Sequence, residues 1–582
     1  MLSVSLSKKH PRFYDVSPKQ GIDLTTELFE ENYNASAVQT TKARMPFAVA
    51  AFLGIYLIIA VRVFVVCLPH GVKVSLPTDD FAEHEIDVAA PISRADVLDR
   101  SGLVIATSLP TVNLYANPKK IQDPKEAAEK LKEVFEDMNY DDLYAKLTKK
   151  RSVFSMIKHD LSPAQQAAVN KLGIPALEFQ ESEKRVYLHN NLFAHVLGYT
   201  NVDNVGQAGV EKFMGQRLTK SSKPLQLTLD IGVQDTVREE LLKAMEKFQA
   251  VAAAAVLMDI NTGEILSMVS LPDFNPNVKI PVGEKALFNF PTLGIYEPGS
   301  VFKTFNTALG LESGKVKVGD KFDATKPVVI QKRKISDFHG ENRWLSVGEI
   351  LIYSSNIGSV QLVSRVGRED QRKFLENLGF FEKIKGLEIS DAEKARPQFQ
   401  SKKNWTDITM ATVSYGHGIS VSPMHIITAF SALMNGGIYH EPTLIKSDER
   451  KLSRRVISER TSEQMRPLLR DVVLYGSGKK AEVPGYEVAG KTGTAEKAVN
   501  GGYAKKRVTN SFLSAFPASN PKYALLVVID EPKGSKETWG FITSGWNAAP
   551  TAGKIIAAVA PQLGLKANFD IETQRAHVKS VQ

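Results

Sequence analysis

One cysteine, Cys67, stands in the 582 residues. That excludes an intramolecular disulfide and any cysteine-built metal cage, and leaves the redox compartment open. No zinc-ligand spacing, helix-turn-helix or RNA-binding signature is present. Nucleic acid is therefore not expected as a partner, although the net charge of +9 and the pI near 9.1 suit an anionic surface such as membrane phospholipid. Long low-complexity tracts are also missing. With 43% apolar and 24% charged residues, the composition is that of globular material in several domains.

A single long apolar run is present, Met45–Leu68, interrupted only by Arg62. At about 1.5 Å per residue it reaches across a hydrocarbon layer of roughly 30 Å, and is read as a transmembrane helix. Before it, 1–44 is a polar tail ending in Lys42 and Arg44. After it come Asp79, Asp80, Glu83, Glu85 and Asp87, with only Lys73 of positive sign. The positive-inside rule then places the N-terminus in the cytoplasm and the bulk of the chain outside. A cleaved signal peptide is not expected, because the tail is long and no small-x-small cleavage site follows.

Residues 69–225 read as a separate block. Strand-like stretches fall at Val72–Leu76 and Ile86–Val88, a turn at Asp99–Gly102, and helices around Pro124–Asp137 and Pro163–Leu172. Gly206 and Gly209 read as a turn rather than a phosphate loop. No nucleophile–base pair stands out, so the block is expected to pack or dock, with Glu211 and Arg62 as candidate docking residues.

From Leu225 the texture changes. Strands are expected at Leu225–Leu229, Ala252–Met258, Ile265–Val269, Tyr486–Ala489, Ser511–Phe516 and Tyr523–Asp530, and helices at Val233–Met245 and Ala549–Val559. Between the two groups of strands the chain is mainly helical. The pattern predicts an α/β (α+β) domain over 226–570 whose terminal strands share one antiparallel sheet, then a polar tail at 571–582.

Within that domain, Pro298 and Gly299 break the chain just before the apolar-periodic run Phe302, Phe305, Leu309. Ser300 thus sits at a helix N-terminus, where its hydroxyl can cap, and Lys303 is one turn on, on the same face. A serine hydroxyl needs an adjacent base, and an amine serves only when its pKa is depressed. Ser-x-x-Lys alone is a weak signal. It also occurs at Ser5/Lys8, Ser155/Lys158, Ser477/Lys480 and Ser519/Lys522. What singles out Ser300 is the company downstream. Ser354-Ser355-Asn356 lies between two helical runs, and Lys491-Thr492-Gly493-Thr494 reads as a strand with Thr492 and Thr494 on one face, along whose edge a peptide could pair. Lys491 is expected to bind a terminal carboxylate and to keep Lys303 neutral by like-charge repulsion.

In their order, these three motifs resemble those of the penicillin-recognising serine acyltransferases. Together with the anchor, Arg94–Gly102, Gly206–Glu211 and Val528–Pro532, they make the chain similar to the class B penicillin-binding proteins, and within them to the division-specific peptidoglycan D,D-transpeptidases. The resemblance implies an elongated pedestal (dimerisation-type) domain over 69–225 and a transpeptidase domain with a helical subdomain. It implies Ser300 as nucleophile, Lys303 as base, Ser354 as proton relay, and Asn356 as the residue orienting Lys303 and the substrate amide. Backbone N–H groups of Ser300 and Thr494 would form the oxyanion hole, with Lys491, Thr492, Gly493 and Thr494 holding the substrate. Stem peptides of peptidoglycan and β-lactams are the implied ligands. A SEDS-family glycosyltransferase, other divisome membrane proteins and the inner membrane are the implied partners, with no metal or organic cofactor. Alternatives of other kinds stay open: an elongation-type relative, which usually carries Asp in place of Asn356, or a penicillin-binding sensor or scaffold without turnover. The Glu-x-x-Leu-Asn deacylation motif of class A β-lactamases is not found.

Overall fold

The computed structural model describes residues 50, 52–62 and 93–570, apart from 150–151, 279–282, 284, 400–403, 448–451 and 500–501. Residues 52–62 are helical and expose Phe52, Leu53, Leu57 and Ile58. Among the described residues no helix is long and apolar enough to cross a membrane. The ends of the 45–68 run lie outside the described residues, as do the two tails and the strands expected at Val72–Leu76 and Ile86–Val88.

The body begins with a five-stranded pedestal sheet. Its centre is β2 (Val104–Ala116), flanked by β1 (Val97–Leu98), β3 (Ser155–Leu161) and β4 (Leu177–Tyr187). The Asp99–Gly102 turn forms because Asp99 Oδ1 accepts from Ser101 N at 2.8 Å and Leu103 N at 2.9 Å. Gly102 takes φ +90°, where a side chain would be strained. The expected helices appear as Pro124–Val134, capped by Asp123, and Pro163–Lys171, opened by a Ser162/Gln165 capping box. Both cover a small core around Leu131, Phe135 and Leu143.

Glu211 is no docking residue. It is fully buried, and its carboxylate accepts from Arg94 Nε at 2.5 Å and Arg185 Nε at 2.7 Å. Burial of a carboxylate requires paired donors, and two guanidinium groups from distant segments supply them.

Pedestal and catalytic domain meet through a continuous backbone tie. The short strand β5 (Leu225–Gln226) pairs in parallel with β1. The strand expected at 225–229 stops at Gln226, because Leu227 turns to bridge Ile445 and Thr228 Oγ1 donates to Ile265 O at 2.7 Å.

Five strands build the catalytic sheet: β6 (Ala252–Asp259), β7 (Ile265–Leu271), β8 (Ala489–Val499), β9 (Gly502–Phe516) and β10 (Tyr523–Asp530). Their order is β8-β9-β10-β6-β7, all antiparallel. N- and C-terminal strands therefore do share one sheet. Alternation along β6 buries both faces: Ala253, Ala255 and Leu257 pack under helices Ile231–Phe248 and Ala548–Gln562, while Ala254, Val256 and Met258 face the helical subdomain. The strand expected at Tyr486–Ala489 instead begins at Ala489 and runs through the Lys-Thr-Gly motif. Eleven residues of cross-strand pairing with β9 override the turn signals around it. Among the described residues β8 ends the sheet, with no strand along its outer edge.

Candidate active site

Ser300 lies in a single 3-10 turn, Gly299–Val301, that runs into the helix Phe302–Glu312. Its hydroxyl makes no capping bond, contrary to the expectation, because that turn already places residue 300 inside the helical spiral. It is half-buried and turned to Lys303, whose Nζ is 3.0 Å from Ser300 Oγ. Nζ also donates to Ser354 O at 2.5 Å and Ser354 Oγ at 3.1 Å. A neutral amine has two N–H groups and one lone pair. With both N–H groups on Ser354, the lone pair is left for the Ser300 hydroxyl.

Lys303 is 1% exposed, and its pKa lies well below that of an ordinary lysine. Burial is the main cause, repulsion from Lys491 the second, and Asp337 pulls the other way. The expected role of Lys491 is thus real but secondary. Burial alone pushes Lys491 down to about 7. Its Nζ donates to Ser354 Oγ at 3.0 Å and Thr492 O at 3.1 Å, so one hydroxyl joins the two amines.

Strand β8 brings the third motif alongside. A Cβ at Gly493 would stand 2.8 Å from Pro298 O and 2.7 Å from Val301 Cγ2, so only glycine lets the strand lie against the nucleophile turn. Thr494 Oγ1 accepts from Ser544 N at 3.0 Å, and Thr492 Oγ1 is 2.6 Å from Ser477 Oγ. Ser300, Lys303, Ser354, Lys491, Thr492, Gly493 and Thr494 therefore come together at one place. The arrangement supplies an activated hydroxyl, a neutral amine beside it and a second amine for a carboxylate. Those are the parts of acyl transfer through a serine ester.

Known proteins agree. Residues 253–555 match the family described as "Penicillin binding protein transpeptidase domain", and 89–223 match "Penicillin-binding Protein dimerisation domain". The chain belongs to the class B penicillin-binding proteins. It is 35% identical over 497 residues, 83% of each chain, to a probable peptidoglycan D,D-transpeptidase FtsI of Caulobacter vibrioides. To the peptidoglycan D,D-transpeptidase FtsI of Escherichia coli it is 29% identical, over 80% of this chain and 83% of the other. Penicillin binding protein 3 of Mycobacterium tuberculosis, solved with aztreonam, shares the fold at a TM-score of 0.65 and 22% identity, over 82% of this chain and 98% of that one. This is a family of serine-type D,D-transpeptidases of FtsI type. Among the described residues no group of three His, Cys, Asp or Glu is placed to hold a metal ion.

Of the expected residues, Asn356 turns its side-chain amide to another partner. Its Nδ2 donates to Ser336 O at 3.1 Å, and the orienting bonds to Lys303 come from Ser354. Sequence reasoning also missed three contributors. Gly416 (φ +86°) lies so close that a Cβ would be 1.9 Å from Gly299 O, while its own carbonyl accepts from Gly299 N at 3.1 Å. Ser477 belongs to one of the discounted Ser-x-x-Lys matches. Its lysine, Lys480, is turned onto the Trp546 ring at 3.6 Å, but its hydroxyl meets Thr492. The third is Asp337. Only the Tyr-Gly-His-Gly run around Gly416 carries a local signal, a glycine-rich break between helices.

Proposed function

We propose that this penicillin-binding protein is the septal peptidoglycan D,D-transpeptidase of its cell, cross-linking stem peptides during division and acylated by β-lactams. The observation that carries the reading is the buried Lys303 amine held between Ser300 Oγ and Ser354. Ser300 Oγ attacks the carbonyl of the penultimate D-Ala as its proton passes to Lys303 Nζ. Backbone N–H groups of Ser300 and Thr494 take the oxyanion, a contribution of about 3–4 kcal/mol for each such donor. As the C–N bond breaks, the Ser354 hydroxyl delivers a proton to the departing D-Ala amine and is resupplied from Lys303. Lys491, Thr492 and Thr494 hold the terminal carboxylate, and the donor peptide runs along the outer edge of β8. An acceptor amine then attacks the ester carbonyl, the C–Oγ bond breaks, and Ser300 recovers its proton.

Residues 45–68 anchor the chain once in the inner membrane, the N-terminus inside and the catalytic domain in the periplasm, on the charge asymmetry around the run. The pedestal docks division proteins, a SEDS-family glycosyltransferase among them. Labelled penicillin should leave one stable adduct on the peptide containing Ser300, and depletion of the protein should lower septal cross-links in digested wall material. Loss of the adduct within seconds would mean a hydrolase instead. Protease added to spheroplasts should digest the catalytic domain, and its protection would overturn the topology.

A further inference from the structure

Asp337 belongs to none of the three motifs and lies eighteen residues before Ser355. Its carboxylate accepts from Asn356 N at 2.5 Å, Ile357 N at 2.9 Å and Ser355 Oγ at 2.7 Å. Asn356 and Ile357 open the helix Asn356–Val366, so their N–H groups have no intrahelical acceptor. Ser355 Oγ in turn accepts from Gly358 N at 2.9 Å. The helix is thus capped in two layers, Ser355 on Gly358 and Asp337 on everything before it. Ser336 O adds a fourth bond, from the Asn356 side chain.

Just ahead of this cap, Ser354 takes φ +56°, a left-handed conformation that costs a non-glycine residue about 1–2 kcal/mol. In that conformation Ser354 presents both its carbonyl and its hydroxyl to Lys303 Nζ. We propose that Asp337 is a positioning residue for acylation: it clamps 355–357 so that Ser354 stays turned and holds Lys303 within reach of Ser300. Asp337 is itself held from behind. It follows the strand Arg333–Ile335 of a tight hairpin, and Ile335 packs on Val360 of the same helix and on Ala411. The clamp, its anchor and the helix it caps form one small unit.

The carboxylate has a second consequence. Burial and the charge of Lys491 weaken Lys303 as a base, and the Asp337 carboxylate acts the other way; His417 also lies near Lys303, and near Glu297 and Glu496. The position of Asp337 lets Lys303 remain neutral yet still take a proton.

The inference rests on the acyl-transfer reading, so the test carries both. Acylation of the full chain by labelled penicillin is timed between about pH 5 and 10, with thermal melts alongside. For D337A we expect acylation slowed about 10- to 100-fold, as for a misplaced catalytic group, with the folded fraction unchanged. D337N keeps an acceptor for the backbone donors but no charge. It should be slowed less, with the acidic limb of its pH profile moved to lower pH, because Lys303 then sheds its proton more readily. Wild-type speed and an unchanged limb in both variants would overturn the clamp. So would a loss that only tracks unfolded protein in the melts. Should D337A not fold, an unmoved limb in D337N decides against it. Failure of the wild-type chain to acylate at Ser300 would instead sink the acyl-transfer reading.

Discussion

Two buried charge clusters in this protein are built on opposite principles. In the pedestal, Glu211 is enclosed by Arg94 and Arg185, which also bond to the carbonyls of Glu211, Ala95 and Arg94. Every formal charge there has a partner of opposite sign. In the catalytic domain, Lys303 and Lys491 are equally buried but of like sign, joined only through neutral Ser354. The first arrangement makes a joint among three segments distant in sequence. The second makes charge expensive, so the amines become bases. Burial is common to both, and the sign of the neighbour decides whether the result is structure or chemistry.

Each cluster can be broken separately, the largest effect first. Lys303→Met should slow acylation by about 10²- to 10⁴-fold through loss of the base. The same change should leave stability unchanged or raise it, since an apolar chain of similar volume replaces a buried amine. Glu211→Ala should do the reverse. Two buried guanidinium groups left without a carboxylate cost about 3–5 kcal/mol, read as an earlier pedestal transition in calorimetry. The molecules still folded should acylate at the wild-type rate. Destabilisation by Lys303→Met, or slowed acylation in folded Glu211→Ala, would blur the distinction.

A pH series sharpens the contrast. Lys491 holds a substrate carboxylate only when protonated, so affinity should fall as pH rises through about 7. Folding responds with the opposite sign. Unfolded lysine stays protonated to about pH 10, whereas the folded site sheds its proton from about 7 upward, so stability should rise with pH across that window. Lys491→Met should remove the first dependence and weaken the second, because Lys303 is depressed too and adds a rise of its own; a flat profile in the wild-type chain would argue against neutralised amines. The smallest effect expected is for Ser477→Ala, where one hydroxyl–hydroxyl bond to Thr492 is lost. That costs about 0.5–1.5 kcal/mol, seen as weaker substrate binding of roughly tenfold at most.

Much of this site is legible along the chain, because its motifs depend on local geometry. Ser300 and Lys303 meet because a helical turn brings residues three apart together. Thr492 and Thr494 share a strand face because strands alternate. The capping role expected of Ser300, the start of the Lys-Thr-Gly strand and the docking role of Glu211 read differently in the fold. Each depends on neighbours that spacing along the chain does not show: the 3-10 turn that takes in residue 300, the long pairing with β9, and the two arginines.

The sequence by itself determined which groups could react and in what order along the chain, since residue type and spacing set local reach. It also determined that terminal strands with helices between them would close into one sheet. Only the tertiary structure decided which groups are chemically altered. A lysine is an ordinary cation until other segments remove its water, and Lys303 and Lys491 lose theirs to a helix, a strand and a capped loop that meet only in the fold. Asp337, Ser477 and Gly416 belong to that second class. None reaches its partner through the neighbouring backbone, and the long-range packing that supplies the reach leaves no periodic trace in the chain.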